Sequence, residues 1–194
     1  MHVFIVYAHP SDDSFTKVAR DEFIKGLESA GHTYEVSDLC KMRFNSEMSA
    51  EEYDREANYR TELPIPPDVS EEQKKINRSQ AIVFIYPVFW TEAPAKLVGW
   101  FDRVWTYGFA YGKRSMRKLK KALVICISGH TIEKLEEYGH LFSIKTVMLG
   151  DRIFDRSQES QMIVLDGMTK YDTKQRTANW EKHKKTAFEA GRNL

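Results

Sequence analysis

The sequence predicts one α/β domain over residues 1–194, a doubly wound, five-stranded parallel sheet of order 2-1-3-4-5. Three observations carry that expectation. Short apolar runs alternate with segments of helical periodicity, the pattern of strands covered on both faces by crossover helices. The runs Val3–Ala8, Ala81–Tyr86 and Ala122–Ile127 are apolar without a break, as strands buried on both faces must be. Each breaks directly into a polar or proline-bearing loop, which places three loops at the carboxyl edge of the sheet, where open α/β sheets bind ligands. Right-handed crossovers then favour the stated strand order.

The elements follow in chain order. Val3–Ala8 is the first strand. Ser14–Ala30 repeats Phe15, Val18, Ala19, Phe23 and Leu27 at helical spacing, and Gly31 is placed to stop the helix. Thr33–Leu39 alternates as a second strand. Cys40–Val69 is long, polar and acidic, with Pro64, Pro66 and Pro67 near its end; it reads as a connecting excursion holding a short helix near 50–58. Ser70–Asn77 reads as a helix with Ser70 as N-cap and Gln73 completing a capping box. Ala81–Tyr86 is the third strand and Pro94–Trp105 the third main helix. Ala122–Ile127 is the fourth strand, Ile144–Phe154 has helical spacing, and Gln161–Leu165 is the fifth strand. Thr173–Gly191 is a basic amphipathic helix carrying Trp180 and Phe188.

Composition excludes several classes of function. Net charge is +1, so neither nucleic acid nor an anionic membrane is indicated as main partner. The two cysteines, Cys40 and Cys126, are far apart and in no metal-ligand spacing, which argues against a disulfide framework and for a reducing cytoplasm. No apolar stretch is long enough to span a bilayer. No set of His, Asp or Glu residues has metal spacing, and His2, His32 and His183 read as incidental.

The first edge loop, His9-Pro10-Ser11-Asp12-Asp13-Ser14-Phe15-Thr16, opens a helix. Hydroxyls and free N–H groups at a helix N-terminus suit a phosphate, although taken alone Ser11 or Asp12 reads as a simple cap. The loop lacks the glycines of the dinucleotide fingerprint and the Gly-Lys-Ser/Thr of a P-loop. The second loop begins Pro87-Val88-Phe89-Trp90-Thr91. Its aromatics are expected to form a rigid wall for a flat heteroaromatic ring, with Trp90 helping to shape the cavity over it. The third is Ser128-Gly129-His130-Thr131.

The stretch from Pro87 to Tyr111 resembles the flavodoxin-fold NAD(P)H:quinone oxidoreductases. The match is carried by Pro87, Trp90, Pro94, Ala95, Leu97, Gly99, Trp100, Asp102, Arg103, Val104, Gly108, Phe109, Ala110 and Tyr111. It extends from the N-terminus to about Gly129 and is loose beyond. In the phosphate loop Ala8, His9, Ser14 and Phe15 match, while Thr16 stands where Asn is usual; His130 replaces a usual glycine. The resemblance implies a flavin held by His9, Ser14, Phe15, Thr16, Pro87, Val88, Phe89, Trp90, Ser128, Gly129 and His130. It implies Tyr138 and His140 as catalytic residues, Phe109 and Tyr111 as substrate contacts across a homodimer, and NADPH or NADH as hydride donor. A phosphate site built from hydroxyls fits FMN, with FAD as alternative.

The expected activity is two-electron, ping-pong hydride transfer through the flavin to quinones, azo dyes or nitroaromatics. Two other readings stand beside it. A flavodoxin-like electron carrier is typically acidic, unlike this chain. A regulatory flavoprotein subunit of a potassium-efflux transporter would need a partner surface that no motif identifies. The homodimer expectation also rests on Trp100, Phe101, Trp105, Phe109 and Tyr111, more aromatic surface than one helix and turn would normally expose.

Overall fold

The computed structural model describes all residues, Met1–Leu194. Five strands, β1 (His2–Tyr7), β2 (Thr33–Asp38), β3 (Ala81–Pro87), β4 (Leu119–Ile127) and β5 (Ser157–Leu165), form one sheet of order β2-β1-β3-β4-β5. Every neighbouring pair is parallel. Strand periodicity divides the core in two. Val3, Ile5 and Tyr7 face one side with Val83 and Ile85, where they meet Phe15, Ala19, Phe23 and Leu27 of α1 (Phe15–Ser29) and Ala187 of α7 (Thr173–Arg192). Phe4, Val6, Phe84 and Tyr86 face the other side, against Leu97, Trp100, Phe101 and Val104 of α4 (Ala95–Val104). Helices α1 and α7 touch at backbone distance: a Cβ on Gly26 would lie 2.0 Å from the Phe188 carbonyl oxygen. No helix is long and apolar enough to cross a membrane.

The excursion after β2 is pinned to α4 by charge and by close packing. It carries α2 (Ala50–Ala57), whose capping box joins Ser49 and Glu52, and α3 (Pro67–Arg78). The buried Arg103 guanidinium donates to Glu52 Oε1 at 2.8 Å, to the Asn45 carbonyl at 2.7 Å and to Asp68. Gly99 lets the chain lie directly on α4, since a Cβ there would stand 2.1 Å from the Ser46 carbonyl oxygen. Beneath, the fully buried Glu72 accepts from Trp100 Nε1 at 2.8 Å, Ser37 Oγ at 2.9 Å and Lys75 Nζ at 2.6 Å. A carboxylate removed from water is tolerated because each oxygen has donors.

Several boundaries differ from the sequence expectation. The helix expected at Ser70 starts at Pro67, with Pro66 at the cap; proline at the first helical position gives up an N–H that would have no partner there. Ser70 is therefore inside the first turn, and Gln73 reaches across to the Val104 carbonyl and Thr106 Oγ1. Strand β5 begins at Ser157, where it pairs with Leu119 of β4, and not at Gln161; Gln158–Gln161 are exposed and polar, so no apolar run marks this part of the strand. The short helix α5 (Ile132–Glu137), capped by Thr131, was not anticipated. The helix expected over Ile144–Phe154 is α6 (His140–Lys145) running into a π-helical segment, Thr146–Ile153. The buried residues Ile144, Met148 and Ile153 are spaced by four and then five, and the wider π turn keeps all three on the core side.

Candidate active site

The sheet ladder continues one residue beyond several strand ends. Ala8 N–H donates to the Ile85 carbonyl at 3.2 Å, Val88 N–H to Ile127 at 2.8 Å, and Ser128 N–H to Leu165 at 3.0 Å. The three expected loops therefore leave the carboxyl edge side by side. A fourth, Asp166–Thr169 after β5, joins them through Met168 N–H to the Ser128 carbonyl at 2.9 Å and Gly167 N–H to the His130 carbonyl at 3.0 Å. His183 and Asn179 of α7 anchor that loop at the Asp166 carbonyl. The sequence reading missed it, although the rule that pointed to the other strand ends applies to β5 equally. His183 is thus an anchor rather than incidental.

In the first loop Ser14 caps α1: its Oγ accepts from Lys17 N–H at 3.2 Å. The N–H groups of Ser14, Phe15 and Thr16 have no protein partner, and neither does the Thr16 hydroxyl. Asp12 and Asp13 turn outward into solvent, so the loop interior is free of their charge. His9 Nδ1 lies 2.9 Å from the Ser11 carbonyl and 3.0 Å from its N–H, which fixes the ring and leaves Nε2 free. Burial lowers the His9 pKa, against a smaller opposing effect of the Ser11 carbonyl, and so favours the neutral ring. Below, the Tyr7 hydroxyl is buried without a partner, and burial pushes its pKa up to about 12. Asp38 and Asp21 act on Tyr7, opposed by Arg20, while the donors of the loop itself fit a phosphate.

The second loop is a two-residue hairpin. Phe89 N–H donates to the Glu92 carbonyl at 2.8 Å and Glu92 N–H returns to Phe89 at 2.9 Å. Its tip residues, Trp90 and Thr91, have φ of 51° and 66°. Left-handed conformations of non-glycine residues cost about 1–3 kcal/mol each and persist where surrounding contacts hold them. The turn leaves the Trp90 side chain 100% exposed and Phe89 45% exposed. The expected aromatic wall is therefore not formed within the protomer, because the hairpin directs Trp90 outward; Pro87 is buried and Val88 half-buried.

In the third loop Ser128 is buried and its Oγ accepts from His130 N–H at 3.1 Å, while Gly129 N–H has no protein partner. The structure brings Tyr138 and His140 beside it. Ring centroids of His130 and Tyr138 are 6.2 Å apart, and those of Tyr138 and His140 5.6 Å. A short helix and Gly139, at φ 72°, fold them back.

Phe109 and Tyr111 are not brought to this edge. Helix α4 runs away from the loops, and the turn after it lies near the amino edge, where Met116 N–H bonds to the Phe109 carbonyl and Lys120 N–H to that of Gln80. Phe109 is buried in the protomer's own core. Tyr111 Oη donates to Glu56 Oε2 at 2.9 Å; burial first, and then this bond, push its pKa up to about 12. Trp100 and Phe101 are buried too, so the aromatic surplus expected at a dimer contact belongs instead to the core. A cavity of about 880 Å3 lies away from the loops, between β4, β5 and α7, lined by Lys121, Glu159, Lys182 and Lys185 among others.

Residues 1–185 match the family described as flavodoxin-like fold. A ribosyldihydronicotinamide dehydrogenase-like protein of Penicillium crustosum is 35% identical over 124 residues, covering 58% of this chain and 46% of its own length. The chain thus spans less than half the length of that curated relative. A solved NAD(P)H:quinone oxidoreductase from Methanothermobacter marburgensis is 48% identical, with a TM-score of 0.91, covering 100% of this chain and 96% of that one. An FMN-dependent NADH-azoreductase from Bacillus anthracis, solved in complex with FMN, shares the fold at 17% identity and a TM-score of 0.71, covering 96% and 98%. From the sheet order, the edge loops and these matches, the chain belongs to the flavodoxin-like fold family.

Proposed function

We propose that the chain is a flavin-dependent NAD(P)H oxidoreductase that delivers two electrons to quinones or similar acceptors. The observation that carries this reading is the cluster of partnerless N–H groups at Ser14, Phe15 and Thr16, set in line with two further edge loops. The flavin, when bound, supplies the hydride chemistry. FMN suits the first loop, whose single helix N-terminus and hydroxyls offer one phosphate site. In this reading Ser14, Phe15, Thr16 and His9 hold the phosphate end. The backbone of Pro87, Val88 and Phe89 would hold the ring system of the flavin, with the exposed Trp90 beside it. Gly129 N–H, the Ser128 hydroxyl and the His130 ring would supply hydrogen-bond donors to the flavin, where a donor favours added negative charge. Tyr138 and His140 stand at the rim as hydrogen-bond donors to an acceptor's oxygens.

A homodimer belongs to the same proposal. Phe109 is buried, so of the two residues assigned to substrate only Tyr111 has surface to offer a partner copy. The exposed Trp90, Phe142 and Phe154 now supply the apolar surface that α4 does not. The test is reconstitution with FMN and with FAD, followed by the visible spectrum and NAD(P)H oxidation with a benzoquinone. Flavin absorbance bands and flavin-dependent oxidation are expected. Failure to bind either flavin at micromolar concentration overturns the proposal.

A further inference from the structure

We infer that Glu92 and Arg152 are a positioning pair, which holds the Trp90–Thr91 turn in its left-handed form and thereby sets the Val88–Phe89 backbone at the site. The two residues are sixty positions apart: Glu92 closes the hairpin after β3, and Arg152 lies in the π-helical segment before β5. Arg152 Nη1 donates to Glu92 Oε1 at 2.9 Å and Nη2 to Oε2 at 3.4 Å, a forked contact. The Arg152 side chain is 12% exposed and that of Glu92 42%, so the pair is sheltered on its arginine side and open to water on its carboxylate side. Glu92 Oε1 also accepts from Ala93 N–H at 2.6 Å, which fixes the carboxylate at the base of the hairpin.

Arg152 is itself immobilised from three directions. Its guanidinium lies 4.8 Å from the Phe101 ring centroid, Nη1 is 3.4 Å from Met148 Sδ, and its carbonyl accepts from Trp105 Nε1 at 2.7 Å. Arg152 and the buried Met148, four residues apart in the π-helical segment, share the side that meets Phe101 and Trp105 of the α4 region. Opposite it, the hairpin has little else to hold it. Two cross-strand backbone bonds close it, its tip residue has no packing, and neither tip residue is a glycine. A two-residue turn of this hand is ordinarily stabilised by Gly or Asn. Here an ion pair anchored in the core takes that part.

The flavin arm of this inference rests on the activity proposed above; the conformational arm does not. Amide hydrogen exchange by NMR on the apoprotein tests the latter. The Phe89 and Glu92 amides should be protected in the wild type. They should lose protection by at least about tenfold in Glu92→Gln and in Arg152→Met, as expected for loss of a charge-assisted contact. Adding Thr91→Gly to Glu92→Gln should restore most of it, because glycine takes the left-handed position unaided. FMN affinity, read by fluorescence titration, should fall by about tenfold or more in each single variant and recover in Thr91→Gly/Glu92→Gln. A pair that served only packing would show no such rescue. Unchanged protection, or a loss that Thr91→Gly does not restore, overturns the inference. An FMN dissociation constant that holds while protection collapses overturns the positioning role. Protection that responds as stated, in a wild type that binds no flavin, would support the clamp and overturn the proposed activity.

Discussion

Thr16→Val tests the proposed phosphate contact separately from helix capping. The two hydroxyls of the first loop differ in what the protein asks of them. Ser14 Oγ accepts from Lys17 N–H and caps α1, whereas the Thr16 hydroxyl has no protein partner. Valine keeps the threonine shape in a position that is 2% exposed, so the packing is largely preserved. A hydrogen bond to a charged group contributes about 1.5–3 kcal/mol, which corresponds to a roughly 10- to 150-fold weaker FMN complex. The apoprotein should melt within about 2 °C of wild type, since no native hydrogen bond is lost. Ser14→Ala should behave differently. It removes a cap of about 1 kcal/mol as well as a ligand contact, so the apoprotein should lose about 2–4 °C in Tm. Fluorescence titration of FMN and thermal denaturation of the apoprotein, run on both variants, read the two effects separately. An unchanged FMN dissociation constant in Thr16→Val would refute the placement of the phosphate at this hydroxyl.

Trp100→Phe removes a donor from the buried Glu72 carboxylate, so stability should fall by about 1.5–3 kcal/mol, or about 3–12 °C in Tm; an unaltered melting curve refutes that account. His183 is buried and its pKa lies below the ordinary 6.5, chiefly through desolvation. The fold holds it neutral, so its contribution is complete above about pH 6.5 and is lost as pH falls below that value. Denaturant titrations from pH 7.5 to 5 should show a shallower decline for His183→Gln than for wild type, and equal slopes would remove His183 from the explanation. Light scattering at tens of micromolar should give a dimer mass, and a clean monomer rejects the dimer. If, as proposed, one flavin face serves donor and acceptor alternately, double-reciprocal plots at several acceptor concentrations should be parallel, and intersecting lines would indicate separate sites.

What was legible in the sequence was local or periodic. Val3–Ala8, Ala81–Tyr86 and Ala122–Ile127 appear as strands because burial on both faces leaves no polar residue to interrupt them. The edge loops followed from where those runs stop. Ser14 was readable as the first residue of the α1 pattern, but the cap itself is Ser14 and not Ser11 or Asp12, and Asp12 and Asp13 are exposed. What was hidden depends on partners distant in the chain. The exposure of Trp90 is set by two φ angles that neither tryptophan nor threonine announces. The tie between Glu92 and Arg152 has no sequence signature at all. Nor does burial of Trp100 and Phe101 on α4, or of Phe109 in the turn after it, since aromatic content alone does not say which face is wet. The polar half of β5 was missed because an edge strand exposed to water loses the apolar run that marks its neighbours.

The direction of α4 also constrains how the resemblance is to be used. Pro87 to Tyr111 reads as one continuous motif, yet a ten-residue helix inside it spans about 15 Å and carries its two ends to opposite edges of the sheet. Pro87, Val88 and Phe89 therefore belong with Ser14 and Gly129, whereas Tyr111 belongs with Glu56 and the excursion that Arg103 pins down. Within one chain these groups cannot act on the same ligand. Contiguity in sequence thus marks two separate surfaces, and a shared role for them requires a second copy whose amino-edge turn meets the first copy's carboxyl edge. That geometry makes the Arg55–Glu56–Tyr111 cluster, rather than Phe109, the part of the motif on which an intersubunit role depends.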